Sequence, residues 1–148
     1  MQKPSRCFKI AIVVSKFNQD ITDKLYQGAI QRLKELEFDT KNIKTVFVPG
    51  AVEIPLAAQR LAKTKQYAAI VTLGSVVMGE TKHFDYVCQL ASNGCQAVSL
   101  QFDIPVIFGV LTTNTQEQAY ARAGGKKCNV GRSSIDTAID LIEALENI

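Results

Sequence analysis

Leu73-Gly74-Ser75-Val76-Val77-Met78-Gly79-Glu80-Thr81-Lys82-His83-Phe84-Asp85-Tyr86-Val87 is the stretch that decides how this chain is read. It leaves an apolar run, Ala68 to Leu73, and passes two glycines. A polar Glu80-Thr81 step leads to His83, the single histidine of the chain, and a helical pattern follows. Strand, short polar loop, titratable group and helix in that order are how an α/β fold builds a site. Ligands of open parallel sheets sit beyond the carboxyl ends of the strands, and histidine is the side chain whose unperturbed charge changes between about pH 5 and 8.

The same alternation extends in both directions. Residues 8–15 are a nearly continuous apolar run, suited to a strand buried on both faces. Ile21, Leu25, Ala29, Leu33 and Leu36 then recur at helical spacing, which predicts a helix over about 20–37 with Asp20 as its cap. Residues 43–48 form a second strand, ended by Pro49-Gly50. A second helix starts near Glu53, with Pro55 in its first turn and Ile54, Ala57, Ala58 and Leu61 inward. The third strand is 68–73, and the helix after it runs from about His83 to Leu100 with Phe84, Val87, Cys88, Ala91, Cys95 and Val98 as its stripe. The fourth strand is 105–111. Thr115-Gln116-Glu117-Gln118 has the form of a capping box, and Gly124-Gly125 stops the helix it opens. A last helix is expected over about 133–146. Four βα units with short connections and right-handed crossovers give a parallel sheet with helices on both faces.

Composition narrows the function. At 47% hydrophobic and 21% charged residues the chain is globular, with no repeat, low-complexity segment or domain linker. The net charge of +3 is spread along the chain; its densest basic cluster, Lys126-Lys127 with Arg122 and Arg132, is too small for a nucleic-acid surface but enough for a local anion site. No apolar run approaches a membrane span, and Met1 to Arg6 lead into no secretory signal, so the expected location is the cytoplasm. Cys7, Cys88, Cys95 and Cys128 form no CxxC pair, and one histidine cannot complete a zinc site of usual spacing. Cys88 and Cys95 share a helix face about 10 Å apart, too far for a disulfide. Buried free thiols are the expectation.

In a βα array every strand-to-helix loop emerges at one end of the sheet. Ser15 to Gln19, Pro49 to Glu53, Gly74 to His83 and Thr112 to Thr115 therefore converge. Phe17 either packs back on the core or offers a flat face to a planar ligand; Asn18 reads as a turn former or cap. Glu53 either compensates a helix dipole or accepts from ligand hydroxyls, with Gly50 and Ala51 leaving room beside it. Gly79-Glu80-Thr81 precedes a helix N-terminus, a natural anion site to which Glu80 is ill suited. There is no GxxxxGK[ST] and no GxGxxG. His83 is either a surface residue or a general acid/base. Arg122 and Lys126, late in their helix, are placed at the opposite end of the sheet, out of reach of the site unless a neighbouring subunit brings them.

Together these motifs resemble the 6,7-dimethyl-8-ribityllumazine synthase family, almost end to end from Ile10 to Leu145. The likeness rests on Lys16-Phe17-Asn18, Pro49 to Pro55, Leu73 to Val87, Pro105 to Thr113 and Arg122-Ala123-Gly124, in order and at matching spacing. It implies a single domain over 1–148 with a flavodoxin-like three-layer α/β/α sandwich around a four-stranded parallel sheet. It also implies a transferase that condenses 5-amino-6-(D-ribitylamino)uracil with 3,4-dihydroxy-2-butanone 4-phosphate, releasing phosphate and water, with no metal or organic cofactor. By motif, Phe17 would stack on the uracil. Ala51, Val52 and Glu53 would hold the ribityl chain, and Ser75, Val76 and Val77 would line the uracil through their backbone. Glu80 and Thr81 would meet the phosphate and His83 would transfer protons. Phe108 and the phosphate-binding Arg122 would come from the neighbouring subunit of a pentamer, with Lys126 near that phosphate. Twelve pentamers in a shell, and riboflavin synthase as a partner, are further implications.

Some positions depart from the family pattern. Met78 stands where arginine is common, Val52 where a large aromatic is usual and Ala121 where an acid is frequent; Gly125 to Gly131 matches loosely. A lumazine- or flavin-binding relative without turnover is the non-enzymatic alternative, opposed by Phe17, His83 and Arg122 occurring together. A flavodoxin-type FMN protein would want a hydroxyl-rich loop after the first strand, which Ser15 to Gln19 is not. A cysteine hydrolase pairing Cys88 with His83 fails because residues five apart on a helix point in different directions.

Overall fold

The computed structural model describes residues 7–148. The expectation about a secretory signal at Met1–Arg6 concerns residues outside these. Four parallel strands stand in the order β2-β1-β3-β4, with β1 at Lys9–Ser15, β2 at Ile43–Val48, β3 at Tyr67–Val77 and β4 at Val106–Thr113. Helices α1 (Gln19–Glu35), α2 (Ile54–Lys63), α3 (His83–Phe102), α4 (Gln116–Arg122) and α5 (Val130–Glu146) alternate with and follow them. This is the three-layer α/β/α sandwich of the flavodoxin-like type.

The alternation of side chains along each strand divides the core in two. Ile10, Ile12 and Val14 of β1 face a cluster with Leu25 and Leu33 of α1 and Ile135 and Ile142 of α5. Ala11 and Val13 face the other cluster, with Ile54 and Leu61 of α2 and Cys95 and Val98 of α3. Both faces of β1 and β3 are covered, which is why their sequences read as continuous apolar runs. On α2 the buried set is Ile54, Ala58, Leu61 and Ala62, with Ala57 only half-buried. α1 and α5 lie close because Gly131 faces the Leu25 carbonyl, where a methyl group would sit 1.9 Å from the oxygen.

The structure changes several boundaries. β3 does not end at Leu73: Gly74 to Val77 stay in the sheet because β4 pairs with them from Gly74–Val110 to Val77–Thr113. The loop before α3 is therefore only Met78 to Lys82. Asp20 is not the cap of α1. Asn18 stands there, and Asp20 lies in the first turn, where it accepts a hydrogen bond from Tyr120. Thr115 caps α4 by accepting from the Gln118 amide, while the Gln118 side chain accepts from the Asn114 amide, so the reciprocal bond falls one residue early. α5 starts three residues sooner than expected, with the Asn129 side chain accepting from the Arg132 amide. Of the cysteines only Cys95 is buried; Cys7 and Cys128 are exposed because they flank the elements rather than face the core. No helix among the described residues is long and apolar enough to cross a membrane.

Candidate active site

The strand order reverses between β1 and β3, because β2 lies on one side of β1 and β3 on the other. Loops diverge there and leave a crevice at the carboxyl ends. A cleft of about 490 Å³ opens at that point, lined by Phe17, Gly50 to Glu53, Ser75 to Val77, Gly79, Thr81, His83, Phe84 and Val87. Its floor is built by a difference in strand length. The β1–β3 ladder stops at Val14–Leu73, yet β3 runs on to Val77. Beyond Leu73 the edge of β3 that faced β1 has no strand beside it, so a ligand can approach backbone donors and acceptors there.

Each wall has a local cause. Phe17 follows β1 and is 71% exposed, so it did not pack back on the core. Its amide donates to the Pro49 carbonyl at 3.0 Å and that of Lys16 to the Val48 carbonyl at 2.8 Å, which fixes the loop beside the exit of β2. Ala51–Glu53 form a single 3-10 turn that feeds α2. Glu53 makes no side-chain cap bond there. Its carboxylate instead leans over Gly50, where a Cβ would lie 3.2 Å from Oε2. His83 opens α3, and its amide donates to the Thr81 hydroxyl at 3.3 Å. The imidazole is exposed at the mouth of the cleft.

Of the residues singled out in the sequence, Phe17, Ala51, Val52, Glu53, Ser75, Val76, Val77, Thr81 and His83 meet in this cleft. Glu80, Phe108, Arg122 and Lys126 are not among its lining residues. Glu80 is exposed in the loop between Gly79 and Thr81. Phe108 is 38% exposed on β4, an edge strand. Lys126 is exposed in the link between α4 and α5.

Arg122 donates through Nη1 to the Gln118 carbonyl at 3.0 Å, along its own helix. The expectation that Arg122 and Lys126 lie at the far end of the sheet is corrected. α4 has only seven residues, and Tyr120 within it is bonded to Asp20 and covered by Lys24, both on the first turns of α1. Arg122 therefore stays near the carboxyl ends of the strands, but on the face covered by α1 and α5, while the cleft opens on the face of α2 and α3. The fourth loop, Thr112 to Thr115, does not line the cleft either.

Sequence reading missed Phe84 and Val87 as cleft residues. Both lie on the inward stripe of α3, and the first turns of that stripe project past the sheet. Among the described residues no group of three or more His, Cys, Asp or Glu side chains could hold a metal ion. Burial pushes the Cys95 thiol up to about 11, against a smaller lowering by a hydrogen bond with Thr72. Burial and then the charge of Asp85 also raise Cys88. Neither thiol is in surroundings that favour its thiolate.

Residues 7–146 match the model of the family described as 6,7-dimethyl-8-ribityllumazine synthase. The chain is 57% identical over 141 residues to the 6,7-dimethyl-8-ribityllumazine synthases of Coxiella burnetii strains Dugway 5J108-111 and RSA 493, covering 95% of this chain and 93% of each relative. The cleft at the β1–β3 reversal is thus found in a chain that belongs to the 6,7-dimethyl-8-ribityllumazine synthase family.

Proposed function

We propose that the cleft condenses 5-amino-6-(D-ribitylamino)uracil with 3,4-dihydroxy-2-butanone 4-phosphate, the penultimate step of riboflavin biosynthesis. The observation that carries this reading is the slot between the Phe17 ring and the free edge of Ser75–Val77. A uracil is flat and carries alternating donors and acceptors on its rim, which suits an aromatic face on one side and strand backbone on the other. Ala51, Val52 and the unspent carboxylate of Glu53 lie where a polyol attached to that ring would run.

The chemistry asks little of the residues present. The 5-amine attacks the ketone carbon and water leaves to form an imine. Loss of the adjacent C–H proton expels phosphate, the enol returns to a ketone, and the ribityl-bearing nitrogen closes the ring with loss of a second water. Holding two substrates in line contributes most of the acceleration. His83, at the mouth of the cleft, moves protons between nitrogen, carbon and leaving oxygen. Thr81, with Glu80 beside it, borders the place for the phosphate.

A dianionic phosphate needs a fixed cation, and no Lys or Arg lines the cleft; its only carboxylate, Glu53, would repel a phosphate. Arg122, Phe108 and Lys126 therefore act on the site of a neighbouring subunit in a homopentamer. This is supported by the exposed apolar side chains Leu56 on α2 and Tyr86 and Leu90 on α3, which a lone chain would leave in water. Residues 1–148 work as one domain in the cytoplasm, with riboflavin synthase taking the product. Mixing the purified protein with both substrates should produce lumazine fluorescence above the spontaneous rate; a rate equal to that background refutes the proposal. Mass in solution separates a pentamer from twelve pentamers in a shell.

A further inference from the structure

The loop that carries Phe17 is tied to β3 by a side chain. Asn18 donates through Nδ2 to the Ser75 carbonyl at 2.9 Å, across 57 residues of sequence. Ser75 lies just past the point where β1 leaves β3, so the side-chain amide takes over a partner's role that the strand has given up. Asn18 stands at the N-cap of α1, where an asparagine side chain ordinarily accepts from a helix amide. It makes no such bond. Its main-chain carbonyl accepts from the Ile21 and Thr22 amides instead, at 2.9 and 3.0 Å. The backbone is left-handed, with φ 59° and ψ 49°, a conformation in which asparagine is enriched among non-glycine residues. Conformation and bonding together direct the side chain away from the helix and toward β3.

We propose that Asn18 is a positioning residue for the aminouracil substrate. Its bond to Ser75 sets the gap between the Phe17 ring and the Ser75–Val77 edge. The exposed ring has little packed against it, so its place is set by the backbone to which it is attached, and a misplacement of about 1 Å in such a wall can cost on the order of 100-fold in rate. The inference rests on the reading of Phe17 as the stacking platform.

The test uses Asn18→Asp and Asn18→Gly in the full-length protein. The aspartate keeps the shape but has no N–H for the Ser75 carbonyl. The glycine keeps the left-handed backbone and loses the side chain. Both should raise KM for the aminouracil about tenfold, the loss of one buried-edge hydrogen bond, and leave KM for the butanone phosphate within about twofold. In a Phe17→Ala background the same Asn18→Asp change should have little further effect on aminouracil KM, as expected for two residues acting as a unit. Equal effects on both substrates, or a lowered unfolding midpoint with aminouracil KM unchanged, overturn the proposal. If Phe17→Ala alone leaves aminouracil KM unchanged, the platform reading fails and the positioning role falls with it. If Phe17→Ala raises it and Asn18→Asp does not, only the role of Asn18 is overturned.

Discussion

Glu53→Gln and Glu53→Ala separate two accounts of one carboxylate. Glu53 is exposed at the start of α2, makes no side-chain bond to the helix amides, and leans over Gly50 at the cleft wall. If it serves only the fold, it offsets the helix dipole by about 0.3–1 kcal/mol. For a chain of this length each kcal/mol moves the unfolding midpoint by about 2–4 °C, so removal lowers the midpoint by about 1–4 °C and leaves kinetics alone. If it holds the ribityl hydroxyls, hydrogen bonds to a charged acceptor worth about 1.5–3 kcal/mol are at stake. Glu53→Ala then raises aminouracil KM by about 10–100-fold. Glu53→Gln keeps one neutral acceptor worth about 0.5–1.5 kcal/mol, so its penalty is nearer five- to tenfold.

The decisive assay is equilibrium titration with two ligands, the ribitylamino uracil and an analogue carrying methylamino in its place. A carboxylate that reads the polyol matters only when the polyol is present. Glu53→Ala should weaken the first ligand by the factor above and the second by less than about twofold. An equal loss with both ligands refutes the role, because Glu53 would then be shaping the wall and not reading hydroxyls. Unchanged affinity for both, with only the midpoint lowered, returns Glu53 to dipole compensation.

Two further outcomes follow from packing and burial. Gly131→Ala would press a methyl group to 1.9 Å from the Leu25 carbonyl oxygen; overpacking against backbone costs about 1–3 kcal/mol, at least offsetting the gain of about 1 kcal/mol from helix propensity, so differential scanning calorimetry should show a lower midpoint, and a clear rise would contradict the close α1–α5 crossing. Cys95, whose thiol burial pushes up to about 11 from the ordinary cysteine range near 9, leaves stability intact below about pH 9 and lowers it as pH rises toward 11, by about 3 kcal/mol in all; iodoacetamide at pH 8 should reach Cys7 and Cys128 well before Cys95, and equal labelling by peptide mass mapping would sink that placement.

The order of elements was legible because burial on two faces leaves its mark as unbroken apolar runs, such as Ile10 to Val14, and burial on one face as helical stripes. What the sequence hid was tertiary. Gly74 and Ser75 read as loop, since glycine weakens a strand, and only the pairing with Val110 and Leu111 keeps them in the sheet. Asn18 and Asp20 are equally good caps by type; a left-handed backbone and a partner 57 residues away decided between them. The capping signal at Asn129 was readable and would have set the start of α5. The direction of α4 was not, because it depends on Tyr120 meeting Asp20 on a helix a hundred residues earlier. The nine cleft residues came together because strand-to-helix loops must share an end of the sheet. The floor they meet on depends on β3 outlasting β1, a register fact with no sequence signal.

The absence of a cation from the cleft lining makes the strongest demand on assembly. A phosphate substrate would meet the Glu53 carboxylate and no Lys or Arg in the cleft lining, while Arg122 sits on the other face of the same sheet, bonded along α4 to Gln118. Flexing α4 across would break its packing through Ala119 and Ala123, both buried in the α1–α5 cluster. On the proposed reading a second copy supplies the guanidinium, and this can be checked without a structure of the assembly. Arg122→Ala should weaken the butanone phosphate far more than the aminouracil, and His83→Ala should slow turnover with either substrate saturating. Neither variant alone completes a site. Refolded together, they form mixed rings in which some sites draw His83 from one chain and Arg122 from its neighbour. Random mixing in a ring restores about one quarter of wild-type sites. Recovery near that level, absent when the two are mixed without dissociation, supports a shared site; no recovery after confirmed subunit exchange places both residues on one chain's cleft and overturns the assignment of Arg122 to the neighbour.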